Sequence, residues 1–213
     1  MKKTLAHTAG SSLRVLIAIA ATLSLSACSK DSSPTGPGLT LSDKDYLALG
    51  WHQLEAQHYD SASTSFTSAY TAATIDAIRS EALEGHGWSS MYKRDLAKAK
   101  SDFITVIGTT GVASAILNDA RVGAAFTLYA LNSFPDAAVY ADAALTVNPS
   151  YLFAHDPKVT TQHLRLLLAQ SYYAAGQFTS AASQLDILLP AQAPHSADPV
   201  VLLASITSAL NSL

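Results

Sequence analysis

Four windows of the sequence repeat one another at steps of 37, 38 and 44 residues. A chain with such a period buries its apolar surface by stacking copies of one supersecondary unit, each incomplete alone. Tyr46, Leu49, Gly50, Tyr59, Ala62, Phe66 and Ala69 return as Leu83, His86, Gly87, Leu96, Ala99, Phe103 and Val106. They return again as Arg121, Ala124, Ala125, Phe134, Ala137, Ala141 and Ala144, and finally as Arg165, Leu168, Ala169, Phe178, Ala181, Leu185 and Leu188. Between the breaks at Gln57-His58, Thr109-Thr110-Gly111, Asn148-Pro149 and Gly176-Gln177 the pattern is helical and rich in Ala and Leu, with no sustained strand-type alternation.

The Gly-then-aromatic spacing of the first window, and Tyr172 to Phe178 in the fourth, resemble the tetratricopeptide repeat (TPR), a helix-turn-helix unit of about 34 residues. The third window departs from the pattern, with Ala125 for glycine and Ala141 for the aromatic, and the second places His86 where a large apolar residue is usual. The expectation is an all-α fold: an α-solenoid of about four TPR-like repeats over residues 43–213, ending in a C-terminal capping helix. Ser42-Asp43-Lys44-Asp45 has the form of a capping box opening the first helix. Asp198 followed by Pro199 has the form of the N-terminus of the last helix. The 44-residue step implies about ten extra residues near 151–157, a longer loop between the third and fourth units.

The amino terminus has the layout of an export signal. Lys2, Lys3 and Arg14 precede an uncharged run, Val15 to Leu25, that is too short for the ~20 apolar residues of a membrane span. Leu25-Ser26-Ala27-Cys28 resembles the lipobox of bacterial lipoproteins. The resemblance implies a signal peptide over 1–27 and lipidation at Cys28, the chain's single cysteine, with acyl chains sufficient for stable anchoring. Ser29, with no aspartate beside the anchor, resembles the sorting pattern for the outer membrane, facing the periplasm. Residues 28–42, rich in Ser, Pro and Gly, read as a flexible tether. An ordinary secretory signal that happens to hold a thiol is the alternative.

In the resembled family the leading helices line a concave groove, and the residues one and four places past the small position tend to face it. Here those are Trp51, Trp88, Phe126 and Gln170, and Leu54, Met91, Tyr129 and Tyr173. Both tryptophans of the chain hold the same repeat place. Such rings form hot spots when desolvated; packed on each other in a tightly curved solenoid, they are ordinary core. Glu55, Glu84 and Asp119 fall near the same face, an acidic rim that favours a partner carrying Lys or Arg, or simply solvated charges.

Chemistry leaves few traces. None of the seven histidines forms an i, i+4 pair or an HExxH motif, and no Walker, dinucleotide or EF-hand signature occurs. Gly85-His86-Gly87-Trp88-Ser89 lacks the GxSxG order and sits within a predicted helix, where Gly87 reads as a packing residue. The expectation is no enzyme, no cofactor and no metal site. With the signal removed, 10 basic and 16 acidic residues remain, a net charge of −6 that argues against nucleic acid. The sequence reads as a lipid-anchored cell-envelope adaptor or scaffold holding a protein or peptide partner in an aromatic groove. A small-molecule or glycan ligand in that groove is the alternative.

Overall fold

The computed structural model describes residues 41–213; the expected signal peptide, the expected lipidation site Cys28 and all but the end of the expected tether lie outside the described residues. Eight α-helices run in consecutive pairs: α1 (Asp43–Glu55) with α2 (Tyr59–Ala72), α3 (Asp76–Tyr92) with α4 (Leu96–Gly108), α5 (Ser114–Ala130) with α6 (Phe134–Val147), and α7 (Thr161–Ala174) with α8 (Phe178–Leu188). After a 3₁₀ turn (Pro190–Gln192), α9 (Pro199–Ser212) closes the chain. The leading helices α1, α3, α5, α7 and α9 touch one another in sequence, whereas the trailing helices α2, α4 and α6 touch only leading ones. The leading helices therefore form the inner row of a solenoid, and α9 stands where a fifth leading helix would, covering the last pair as expected of a cap.

Both forecast caps are present. Ser42 Oγ accepts from the Asp45 amide while the Asp45 carboxylate accepts from the Ser42 hydroxyl and the Ser42 amide, which together hold the Asp45 carboxyl below its usual range. Asp198 accepts from the amides of Val200 and Val201.

Each pair is joined by the same turn. Gln57, Arg94, Asn132 and Gly176 all have positive φ, between 60° and 74°, at matching repeat places. In each, that residue's amide donates to a carbonyl three residues back, and the next amide to one five back: Gln57 to Leu54 and His58 to Gln53, Arg94 to Met91 and Asp95 to Ser90. This is the backbone arrangement that ends a helix in the left-handed region. Only the fourth repeat uses the residue type that adopts it without steric cost.

Packing between pairs rests on a phenylalanine knob entering small-residue slots. Phe66 of α2, fully buried, fills the space beside Gly50 of α1 and Gly85 of α3; a Cβ on Gly50 would stand 2.7 Å from its ring. Phe103 of α4 does the same between Gly87 of α3 and Gly123 of α5, with 2.8 Å to a Cβ on Gly87. The third window's departures follow from this fit. Its knob is Ala141, fully buried, so Ala125 can replace glycine without collision.

Two stability predictions follow from turn and knob. Arg94→Gly, at an exposed site, should stabilise by about 1 kcal/mol, roughly 2–4 °C in Tm, by removing left-handed strain. Gly123→Ala should destabilise by about 1–3 kcal/mol through overpacking against Phe103. Thermal melts of both variants check the pair.

Candidate functional site

The aromatic positions of the inner row left two readings, an open groove or rings packed as core, and over the first three leading helices the inner row is filled. The filler is the chain's own extra segment between α6 and α7. Residues 148–160 contain no helix. The Phe153 amide donates to Val159 O at 3.0 Å and the Thr161 amide to Tyr151 O at 2.8 Å, around a bridge between Leu152 and Thr160. These bonds fold the segment into a strap. Its residues alternate: Tyr151 and Phe153 are buried and His155 is partly buried, while Leu152 and Ala154 are exposed. That is the pattern of an extended segment lying on a surface.

The inward side chains make specific contacts. Phe153, 1% exposed, stacks on Trp88 of α3 with centroids 4.2 Å apart. His155 stacks on Trp51 of α1 at 3.8 Å and 6°, and its Nδ1 pairs with Glu55 Oε1 at 2.8 Å. Asp156 Oδ2 accepts from the Tyr92 hydroxyl at 2.6 Å. Tyr92 in turn stacks on Tyr59, and burial with the adjacent Asp156 carboxylate pushes its phenol up. The strap thus reaches back 100 residues to the first helix.

Of the eight inner-row positions, Gln170 is buried and the seven apolar or aromatic ones are distributed as follows. Trp51, Leu54 and Trp88 are core, with Trp88 wholly buried under the strap, and Met91, Phe126 and Tyr129 are half-buried against the same core. Tyr173 belongs to a second cluster under α9, where its hydroxyl donates to Pro199 O. Tyr129 and Tyr173 each meet, edge to face, the aromatic opening their own trailing helix, Phe134 and Phe178. The rings converge, but on chain rather than on a hollow.

Beneath the strap the electrostatics are unusual. Glu84, expected on an acidic rim, is 2% exposed. Burial, with Asp119 and Glu81 nearby, holds its carboxyl well above the usual range. Burial also raises Asp119, opposed by Tyr151 and His155. The Tyr151 hydroxyl lies toward Asp119, and its phenol is pushed up by burial and that carboxylate. Glu81 Oε1 accepts from Trp51 Nε1 at 3.1 Å. Yet Glu84 Oε1, Trp88 Nε1 and the Tyr151 hydroxyl close no hydrogen bond of regular geometry. Among the described residues no lysine or arginine pairs with Glu81, Glu84 or Asp119.

A second polar constellation was not read from the sequence. Ser63 Oγ of α2 lies 2.9 Å from His86 Nε2 of α3, and His86 Nδ1 lies 2.7 Å from Asp102 Oδ2 of α4. Lys98 Nζ meets the other Asp102 oxygen at 2.5 Å. The order matches a hydrolase relay, but Ser63 sits mid-helix, where the surrounding amides are spent on the helix's own ladder and offer no oxyanion donors. The relay binds three helices together and explains His86 at a usually apolar place. Among the described residues no group of three or more His, Cys, Asp or Glu side chains is placed to hold a metal ion, and no helix is long and apolar enough to cross a membrane.

Comparison with solved structures places this architecture among TPR folds. The chain is similar to a tetratricopeptide repeat protein from Parabacteroides merdae ATCC 43184 (TM-score 0.57, 12% identity), over 80% of this chain and 60% of that one. A thermophilic TPR protein of Thermus thermophilus aligns over 80% of this chain and all of that one, with 18% identity and a TM-score of 0.39. No protein-family model matches the chain, and no curated protein sequence matches it. The fold is TPR-like, as the repeat spacing implied, and the chain spans about 60% of the length of the first of these structures.

Two measurements test this site. Phe153→Ala should destabilise by about 3–5 kcal/mol in chemical denaturation, the cost of a buried phenylalanine. Glu84 is protonated to higher pH in the folded than in the unfolded chain, so the stability it permits is full in acid and declines as pH rises through its elevated value. Between about pH 5 and about pH 8 wild type should therefore lose stability that Glu84→Gln retains, and the variant should be the more stable at pH 8.

Proposed function

We propose that the protein is a lipid-anchored adaptor of the bacterial cell envelope, held by Cys28 and engaging a protein or peptide partner along the inner row of its solenoid. The TPR-like fold carries this reading, since stacked helix pairs of this kind generally serve protein interaction. The strap supports the choice of surface: the faces of α1 and α3 accept an extended segment whose alternate side chains point inward. A partner segment would dock there in place of residues 151–156. The glycan alternative has less support, because what lies on the faces of Trp51 and Trp88 is an extended stretch of polypeptide, through His155 and Phe153.

The anchor is tested by fractionation. Cys28→Ala should release the protein from carbonate-washed membranes, and retention on them would remove the lipid anchor from the account. Crosslinking in intact envelopes followed by mass spectrometry should capture a stoichiometric partner protein with crosslinks on α1, α3 or α5.

A further inference from the structure

The adaptor reading leaves the partner's chemistry open, and the strap narrows it. Its inward positions are three: Tyr151 over the carboxyls of Asp119 and Glu84, Phe153 over Trp88, and His155 between Trp51 and Glu55. The middle position is well matched, an aromatic ring stacked on an indole. The outer two face carboxyls. At the first, a neutral phenol lies toward Asp119 with the Glu84 carboxyl nearby, and neither its hydroxyl nor Glu84 Oε1, both deeply buried, closes a regular hydrogen bond. At the last, an imidazole pairs with Glu55 while stacking on Trp51. The strap's lysine, Lys158, is exposed to solvent. The site is therefore complementary to an occupant more cationic than the one it holds.

Resting on the adaptor reading, we infer that the inner row recognises an extended basic-x-aromatic-x-basic segment of a partner protein, with residues 151–155 as its weaker internal stand-in. A guanidinium at the Tyr151 position supplies the cation that neither Glu84 nor Asp119 pairs with now and a donor for Glu84 Oε1, and desolvated charge pairing there is strong and directional. A second guanidinium at the His155 position stacks on Trp51 and forks onto Glu55. The central ring replaces Phe153 on Trp88. Binding and strap closure exclude each other, so the strap competes for the site and lowers apparent affinity by the fraction of time it is closed.

Trp51 and Trp88 are the only tryptophans of the chain, so selectively excited tryptophan emission reports this site alone. The probe is the peptide acetyl-Gly-Arg-Ala-Phe-Ala-Arg-Gly-amide, titrated into the full-length protein in detergent, with the same peptide bearing Glu for both Arg as control. The Arg peptide should shift tryptophan emission saturably and the Glu peptide should not. Affinity should rise at least about tenfold in the double variant His155→Ala, Asp156→Ala, which loosens the strap but leaves Phe153 in the core. It should fall about tenfold when Glu84→Gln and Asp119→Asn are added. Phe153→Ala gives a second, more open form where circular dichroism shows its helices intact.

Equal response to both peptides, or none in a double variant that keeps its helical spectrum, overturns the inference. If the peptide is inert while envelope crosslinking captures a stoichiometric partner away from α1, α3 and α5, the groove chemistry fails and an adaptor role survives. Arg-peptide binding with no envelope partner captured would uphold the groove chemistry and overturn the adaptor reading instead.

Discussion

Phe153 stacked on Trp88 is the contact on which the inner face of this solenoid depends. A stack of helix pairs is one-dimensional: each unit touches its neighbours, and nothing in the period alone couples the first unit to the third. The strap supplies that coupling. With Phe153 on α3, His155 on α1 and Tyr151 against α5, one short segment bridges three leading helices and converts a curved array into a closed core. It also determines what the inner face can do, because any occupant must take its place.

The outer packing follows a separate rule. Phe66 and Phe103 enter slots made by glycines on the two flanking leading helices, so each knob fixes the approach of one pair to the next. Where the knob shrinks to Ala141 the slot place holds Ala125, and at the matching places of the fourth repeat stand Leu185 and Ala169, both fully buried. Volume is exchanged between the two sides of one contact, which is why the third window departs from the repeat consensus yet stacks like the others.

Much of this was legible in the sequence because it is local or periodic. The four-unit stack, both helix caps, the last helix and the place of the extra residues all follow from spacing, and Gly87 was readable as packing from its repeat place. The partner glycines Gly85 and Gly123 were not picked out, although they are 38 residues apart, one repeat step, and each faces a knob. The strap's destination was hidden for a different reason. The 44-residue step gives the insertion's length, but its contacts join residues up to 100 apart, and no local pattern encodes which surface a loop covers. So the repeat aligns the aromatic positions with one another while leaving groove and core both open for them: Trp88 faces the inner curve and is buried there by Phe153. Glu84 was likewise placed on the right helical face, but burial turns an expected rim charge into a carboxyl that keeps its proton.

The most direct measurement is isotope-edited nuclear Overhauser spectroscopy of the protein in solution. Cross-peaks are expected from the Phe153 ring to the Trp88 indole and from the His155 imidazole to the Trp51 indole, with residues 151–156 displaced from random-coil shifts. Random-coil shifts through 151–156, with neither cross-peak present while the helices remain formed, would contradict the docked strap.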